Sequence, residues 1–222
     1  MKNKLLRFLT TSLYNIIYKD FFVKNSILGI ITPPKRVNVK ILNGQVKNMK
    51  IENSGKNNKM LLDRCCIYSS CKIVFQGNNN FIVINKGCKL SNLLILIRGN
   101  NCKVEIGADT TSNGASMYCI GEGHVIRVGK DCMFAKGTEL LSSDSHTILS
   151  AESGSIINNQ KHDVIIGDHV WLAEYAKILK GVMVAENCVI GMCAVLTKST
   201  VPNGLYGGIP AIMIKQGITW KR

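Results

Sequence analysis

Large aliphatic residues recur at every sixth position in the last third of the chain: Ile166, Leu172, Ile178, Val184, Ile190 and Leu196. Small or modest residues stand four places after each of them: Val170, Ala176, Val182, Cys188, Ala194 and Thr200. Neither the helical period of 3.6 residues nor the strand period of 2 gives a strict period of six. A triangular solenoid does, because each flat side takes about six residues and each coil has three sides. The repeat therefore predicts an all-β solenoid.

A second repeat lies upstream, where Gly55, Gly77, Gly99 and Gly121 are spaced by 22 residues. Aliphatic residues follow seven places after each glycine, and small residues four places later: Leu62, Ile84, Ile106 and Val128, then Cys66, Cys88, Thr110 and Cys132. This pattern predicts an 18-residue coil that gains a four-residue turn at the same corner each time. Glycine and asparagine tolerate the left-handed backbone of a tight corner, and stacked asparagines are expected to form side-chain ladders.

The six-residue step runs through Val128, Phe134 and Leu140 and breaks between about Asp144 and His162. It resumes at Ile166, so a loop over about 149–163 is predicted to project from the rod. Long excursions from a regular scaffold often carry function. The sequence therefore indicates one solenoid domain over 37–200, preceded by an N-terminal segment over 1–36 and followed by a C-terminal tail over 201–222 that folds back over the last coil.

The N-terminal part of the chain carries most of the positive charge. The net charge is +14, and residues 1–60 hold twelve Lys or Arg against two acidic residues. Such an excess suits an anionic lipid, an acidic polysaccharide or a nucleic acid, but no zinc-finger spacing, recognition helix or set of stacking aromatics supports nucleic acid. The longest uncharged run, Phe8–Tyr18, is shorter than the about 20 residues that a bilayer requires. An amphipathic helix is expected instead, either as a cap on the solenoid or on the inner face of the plasma membrane.

The nine cysteines contain no CxxC pair. Cys66, Cys88, Cys132 and Cys188 fall in the small-residue positions of the repeat, where a thiol acts as an apolar filler. Free buried thiols suit a reducing compartment, so a cytoplasmic location is expected.

The four histidines are candidates for metal ligands or for a catalytic base. His146, His162 and His169 lie 16 and 7 residues apart, and nothing in this spacing makes three imidazoles converge on zinc, so no metal is expected. His146 lies in SSDSHTI, where the repeat breaks, and imidazole suits general base catalysis near neutral pH. Asp144 is a candidate to orient it. Strict continuation of the six-residue step would instead turn position 146 inward.

Four motifs resemble those of the hexapeptide-repeat acetyltransferases: the SDSH element, IGDHVW, a late KGV, and GIPA near the end. The resemblance covers residues 121–222 well and is strongest to the capsule, lipopolysaccharide and sialic acid O-acetyltransferases. It implies a left-handed parallel β-helix, a homotrimer with sites between subunits, and acetyl-CoA as the donor. His146 would take the proton from a sugar hydroxyl, and Trp171, predicted to point outward, would wall the site.

The same resemblance implies the donor and acceptor contacts. Ala176 and Ala194 would present backbone to the pantetheine arm of acetyl-CoA, and Lys198 would approach a CoA phosphate, with Trp171 beside the thioester. Ser143 and Asn158, beside and within the loop, are expected to bind the acceptor glycan. The chain departs from the family at Glu174–Tyr175 and at Gly191–Ala194, which lie on this donor path.

Three functions follow from these patterns. The first is O-acetylation of a bacterial surface glycan or its precursor. The second is N-acetylation of an amino sugar nucleotide, for which residues 1–36 are too short and apolar to form a separate nucleotide domain. The third is a non-catalytic trimeric scaffold for a membrane-associated polymer assembly, which would bind lipid without cleaving a thioester.

Overall fold

The computed structural model describes residues 21–24, 31–32, 37–42, 45–63, 67–158 and 162–222. Within them the chain forms a parallel β-solenoid of three sheets, and each complete coil visits sheet 1, sheet 3 and sheet 2 in that order. Seven complete coils run from Val37 to Leu196. The fold is the left-handed β-helix that the repeat and the resemblance predicted. No helix in the described residues is long and apolar enough to cross a membrane.

The strands are divided among the three sheets. Sheet 1 contains β1 (Phe21–Lys24), β3 (Val37–Leu42), β6 (Asn58–Leu62), β9 (Phe81–Ile84), β12 (Lys103–Ile106), β15 (Val125–Val128), β18 (Val164–Ile166) and β21 (Met183–Val184). Sheet 2 contains β2 (Ile31–Thr32), β5 (Met49–Asn53), β8 (Lys72–Gln76), β11 (Leu94–Arg98), β14 (Ser116–Ile120), β17 (Glu139–Leu141), β20 (Lys177–Ile178) and β23 (Val195–Leu196). Sheet 3 contains β4 (Gln45–Lys47), β7 (Ile67–Ser69), β10 (Lys89–Ser91), β13 (Thr111–Asn113), β16 (Met133–Phe134), β19 (Trp171–Leu172), β22 (Val189–Ile190), β24 (Gly204–Gly208) and β25 (Ala211–Gln216).

The inward register matches the six-residue repeat. The large aliphatic positions from Ile166 to Leu196 are all buried, as are Leu62, Ile84, Ile106 and Val128 upstream. Among the small positions, Cys88, Cys132 and Cys188 are buried, and burial raises the pKa of the Cys132 thiol to about 12. Each of these thiols donates to a backbone carbonyl, Cys132 Sγ to Gly167 O at 3.2 Å for example, so the filler also satisfies a buried acceptor. Cys66 lies outside the described residues.

One corner absorbs the extra residues of the upstream coils. We call it the asparagine corner; it joins sheet 2 to sheet 1 and contains residues 54–57, 77–80 and 99–102. The backbones of Gly77 and Gly99 approach so closely that a Cβ on Gly77 would lie 1.9 Å from Gly99 O. The predicted ladder is present, with Asn78 Nδ2 donating to Asn100 Oδ1 at 3.0 Å and Asn57 Nδ2 to Asn79 Oδ1 at 3.2 Å.

The two ends of the chain differ from the sequence prediction. Phe21–Lys24 and Ile31–Thr32 are strands that pair with β3 and β5, where a helical or irregular cap was predicted. Residues 1–20, 25–30 and 33–36, which carry the rest of that prediction, lie outside the described residues. At the other end β24 continues sheet 3 and β25 pairs with it antiparallel. The last residues then run back beyond the final coil as far as Asp131 and Thr111.

Candidate active site

The projecting loop leaves the solenoid after Leu141 and returns at Val164, at the same corner as the asparagine turns. Paired residues of β15 and β18 are 38 positions apart, against 18 for β18 and β21, so this coil holds 20 extra residues. Leu149 and Ile156 form an antiparallel bridge that folds the loop into a short hairpin. The hairpin exposes four large aliphatic side chains: Ile148, Leu149, Ile156 and Ile157.

His146 is exposed at the base of this hairpin, not turned inward. Strict continuation of the repeat fails because Ser145 takes a left-handed backbone conformation, with φ 64°, and the chain leaves the sheet. The last inward residue before the break is Ser142, whose hydroxyl accepts a hydrogen bond from Ile120 N at 2.9 Å. The break therefore presents the imidazole to solvent, as a general base requires.

Asn158 fixes the backbone on both sides of His146. Its Nδ2 donates to His146 O and to Asp144 Oδ2, each at 2.8 Å, and its Oδ1 accepts from Ile148 N at 2.8 Å. Because these bonds use both amide donors and one of the two acceptor sites of Oδ1, the geometry suits a positioning residue more than the acceptor contact predicted for Asn158. Ser143 is used locally, its Oγ accepting from Ser145 N at 3.0 Å.

Asp144 supports the loop and does not contact the His146 ring in the described structure. Its carboxylate forms an ion pair with Lys180 Nζ at 2.7 Å, and Lys180 also donates to Asn158 O. Burial raises the pKa of Asp144, but the bonds from Lys180 and Asn158 outweigh it and hold that pKa below its usual range. The role of Asp144 as the partner that orients the imidazole stays a prediction, and in this structure its carboxylate forms a brace of the loop with Lys180 and Asn158. The KGV motif was recognised in the sequence, but the part of its lysine, Lys180, in this brace was not predicted.

Two further histidines close the other end of the loop. The rings of His124 and His162 stack with centroids 4.2 Å apart and planes 11° apart, and His124 Nδ1 lies 3.3 Å from Ser142 Oγ. Burial, and then the neighbouring His162, lower the pKa of His124. His169 lies elsewhere, bonded to Asp131 and Trp220. The histidines weighed as zinc ligands are therefore separated, and no group of three metal-binding side chains occurs among the described residues.

Trp171 lies on the outer face of sheet 3, as its place between two inward residues predicted. It lines a groove of about 500 Å³ with Met133, Ala173 and Met192. Trp220 borders this groove, its ring centroid 6.2 Å from that of Trp171.

The C-terminal tail is fixed against the solenoid beside that groove. The Trp220 ring stacks on His169 at 4.2 Å, and Arg222 forms an ion pair with Asp131 at 3.1 Å and donates to Thr111 Oγ1. Burial raises the pKa of Asp131, but His169 and Arg222 outweigh it and lower that pKa. Sequence reasoning missed this terminal Trp220-Lys221-Arg222 segment, although an aromatic residue beside two cations can dock through cation–π contacts.

The predicted donor contacts fall on two different corners. Ala176 and Ala194 are buried at the corner between sheets 3 and 2, where their amides donate to Ala173 O and Gly191 O. Both residues are wholly buried, and their carbonyls accept hydrogen bonds from Glu139 N and Lys177 N, so the backbone contacts predicted for them with the donor stay a prediction. Lys198 is exposed one coil beyond Lys180, on the corner that carries the loop.

The two departures from the family pattern change the backbone strain and the surface beside the predicted donor path. Tyr175 and Cys193 both have positive φ, 59° and 58°, which is where glycine is the residue of least strain. The Tyr175 ring lies over Gly137, and Met192 is 64% exposed beside the Trp171 groove, so larger side chains border the predicted donor path here.

Within one chain His146 and Trp171 are not brought together. His146 follows the corner between sheets 2 and 1, and Trp171 lies on sheet 3, the opposite side of the triangular cross-section. A site that uses both residues therefore needs a corner of one copy and a face of another.

Comparison with known proteins agrees with this arrangement of motifs. The bacterial transferase hexapeptide family, defined by six repeats, matches residues 163–198. The solved structure of the polySia-specific acetyltransferase NeuO superposes with a TM-score of 0.75 and 31% identity, over 92% of this chain and 90% of that one. The chain belongs to the hexapeptide-repeat acetyltransferases.

Two curated members of this hexapeptide-repeat family are similar over shorter segments. The polysialic acid O-acetyltransferase of Neisseria meningitidis is 48% identical over 80 residues, 36% of each protein. That of Escherichia coli O1:K1 is 34% identical over 120 residues, 54% of this chain and 38% of the relative. The chain thus matches little more than a third of the length of these two relatives. They lie in the surface-glycan O-acetyltransferase branch, which is the branch that the motifs resembled.

Proposed function

We propose that this protein is an acetyl-CoA-dependent O-acetyltransferase that acts on a hydroxyl of a bacterial surface glycan, with a sialic acid polymer as the leading acceptor. The observation that carries the proposal is the 31% identity to NeuO across 90% of that chain, combined with an exposed His146 on a braced loop. The acceptor is inferred from the names of the relatives, polysialic acid O-acetyltransferases.

In the proposed reaction His146 removes the proton of the acceptor hydroxyl as that oxygen attacks the thioester carbonyl. The C–S bond breaks after the new C–O bond forms, and the imidazolium returns the proton to the departing thiolate. Asn158 and the Asp144–Lys180 pair hold the His146 backbone in place during both transfers. The exposed ammonium of Lys198 suits a phosphate of the donor, and the pantetheine arm is proposed to pass the corner that contains Ala176 and Ala194.

The active unit in this proposal is a homotrimer with its sites between subunits. The separation of His146 and Trp171 on opposite sides of the prism supports it, as do the exposed aliphatic side chains of the hairpin, which suit contact with a second copy. A trimer would have three times the 24.4 kDa mass of the chain in a light-scattering measurement. The free buried thiols support a cytoplasmic setting.

The deciding experiment measures thiol release from acetyl-CoA with polysialic acid and with neutral glycans, for wild type, His146→Ala and the neighbouring loop variant Thr147→Ala. We expect glycan-dependent release that falls by about 100-fold or more in His146→Ala, the scale of a lost general base, and little in Thr147→Ala. Absence of release with every glycan would reject the transferase and favour a scaffold. Release that survives His146→Ala would keep the transferase and remove this base.

Mixed trimers test the composite site. His146→Ala and Trp171→Ala chains, each with low activity alone, should regain part of the activity when co-expressed, because some interfaces then hold both native residues. Mixed trimers that form without any recovery would contradict a site shared between subunits.

A further inference from the structure

A second groove lies on the outer face of sheet 1 and the asparagine corner, away from Trp171. It encloses about 950 Å³ and is lined by Asn57, Lys56, Lys59, Asn79 and Phe81. Across the strands of sheet 1, Lys59 and Lys103 pair with Phe81 on either side, so two lysines flank one aromatic ring on the same face. Nothing in the proposed reaction uses this groove.

The Phe81 ring is an exposed aromatic in a polar setting, with 36% of its surface accessible. A buried ring would stabilise the protein. Because this ring lies outside the core, it instead leaves a flat apolar surface in solvent. Lys56 and Lys59 are both exposed and form no ion pair within the described residues, and none of the described residues that line the groove is acidic. The groove therefore offers two unneutralised ammonium groups beside an aromatic face.

The asparagine ladder supplies hydrogen-bonding groups at the same place. Asn57 Nδ2 donates to Asn79 Oδ1, which occupies one side of each amide. A carboxamide has two donors and two acceptor sites, so Asn57 Oδ1 and Asn79 Nδ2 keep capacity for a ligand. The amides can hydrogen-bond to sugar hydroxyls, the aromatic ring can stack on an apolar sugar face, and the ammonium groups can pair with carboxylates.

We propose that this groove is an accessory binding site for an acidic polysaccharide, which holds the acceptor polymer while another part of it is acetylated. The inference rests on the proposed function for the identity of the polymer. An anionic membrane fits less well, because insertion requires several exposed apolar side chains and the groove has one aromatic residue among amides.

The groove lies on the same corner as the catalytic loop. From β9, which carries Phe81, to β18, which follows the loop, there are three strand spacings in sheet 1, or roughly 15 Å along the axis. Lys103 and Arg127 lie on the intervening strands, partly neutralised by Glu105. A polymer held at Phe81 can therefore reach the loop of the same chain along one edge of the rod, which raises its local concentration near His146.

The test measures binding of long-chain polysialic acid, sialic acid monomer and neutral dextran to the full chain carrying His146→Ala, without acetyl-CoA. Adding Lys59→Gln and Phe81→Ala should weaken polymer binding by about tenfold, equivalent to about 1.4 kcal/mol, and leave the monomer unaffected. Lys89→Gln, an exposed lysine on sheet 3, is the matched control. Phe81→Leu keeps apolar bulk without the flat ring and separates stacking from simple burial, and a thermal melt checks that each variant is folded.

Polymer binding that the double substitution leaves unchanged, or a loss equal to that of Lys89→Gln, would overturn the site. A loss of binding to vesicles containing phosphatidylserine with polysialic acid binding intact would also overturn it, in favour of a membrane contact. In the active chain the double substitution should raise KM for the polymer and leave kcat unchanged. Polymer binding without any acetyl transfer would reject the proposed function and keep the site, whereas transfer with no binding at this groove would do the reverse.

Discussion

The coils before and after the projecting loop share the same three faces but differ in the length of one corner. Upstream, paired residues are 22 positions apart and asparagines stack at one corner; downstream the spacing is 18 and that corner is short. The buried aliphatic positions keep the same register on both sides of the loop. The difference shows that the three faces fix the fold, while one corner accepts additional chain, from four residues in each coil between β6 and β15 to 20 in the coil of His146.

The largest expected effect follows from the close packing of the upstream corner. Gly99 has φ 135°, and a Cβ on it would lie 1.7 Å from Gly121 O. Gly99→Ala therefore combines backbone strain with a clash, each costing about 1–3 kcal/mol, and should lower the free energy of unfolding by several kcal/mol or prevent folding.

Gly154→Ala is the matched variant in the loop. Gly154 also has positive φ, 66°, but a Cβ there would meet nothing within 4 Å, so only about 1 kcal/mol of strain is expected. Denaturant unfolding of both variants measures the difference. Equal losses would mean that the corner relaxes freely, and the comparison between packed corner and projecting loop would fail.

The next effect concerns the loop alone. Asn158→Ala removes three hydrogen bonds that hold residues 144–148. Activity should fall by about 10-fold to 100-fold, because a misplaced catalytic group lowers the rate. The melting temperature of the solenoid should change little, because the core packing is intact. Ser153→Ala at the hairpin tip is the control. A large change in KM for the glycan with kcat unchanged would instead restore the original prediction that Asn158 binds the acceptor.

The periodicity of the sequence predicted which residues lie on the three faces of the solenoid. The arrangement of the candidate site depends instead on contacts between residues far apart in the sequence. The inward positions, the asparagine ladder and the outward Trp171 all follow from periodicity, because a repeat restates the same environment in each coil. The exposure of His146 did not follow, since it depends on Ser145 leaving the sheet. The roles of Asn158 and Lys180 depend on contacts across 14 and 36 residues to Asp144, which no local pattern encodes.

A smaller effect is expected at the downstream corner. Lys180 and Lys198 stand one coil apart, but Lys180 is paired with Asp144 and Lys198 is exposed. Lys198→Gln should raise KM for acetyl-CoA about threefold to tenfold, as expected for one exposed phosphate contact, without affecting kcat. Lys180→Gln should lower kcat instead. The reverse pattern would exchange the roles of the two lysines.

The smallest effect is a pH response at the base of the loop. Burial and the His162 ring lower the pKa of His124, against the weaker opposing influence of Asp163 and Glu122. Between the lowered folded value and the ordinary value of about 6.5, the unfolded loop binds more protons than the folded one. The contribution of the His124–His162 stack is therefore complete above about pH 6.5 and declines as the pH falls toward the folded value.

Hydrogen exchange measures this response directly in the loop, without an activity assay. Protection within residues 142–158, corrected for intrinsic rates, should fall below about pH 6.5, while the strands of the downstream coils keep theirs. His124→Phe retains a stacking ring that cannot be protonated, so its loop should lose this pH dependence. Loss of protection that persists in His124→Phe would place the titrating group elsewhere, and equal loss in the downstream strands would mean that loop and solenoid open as one unit.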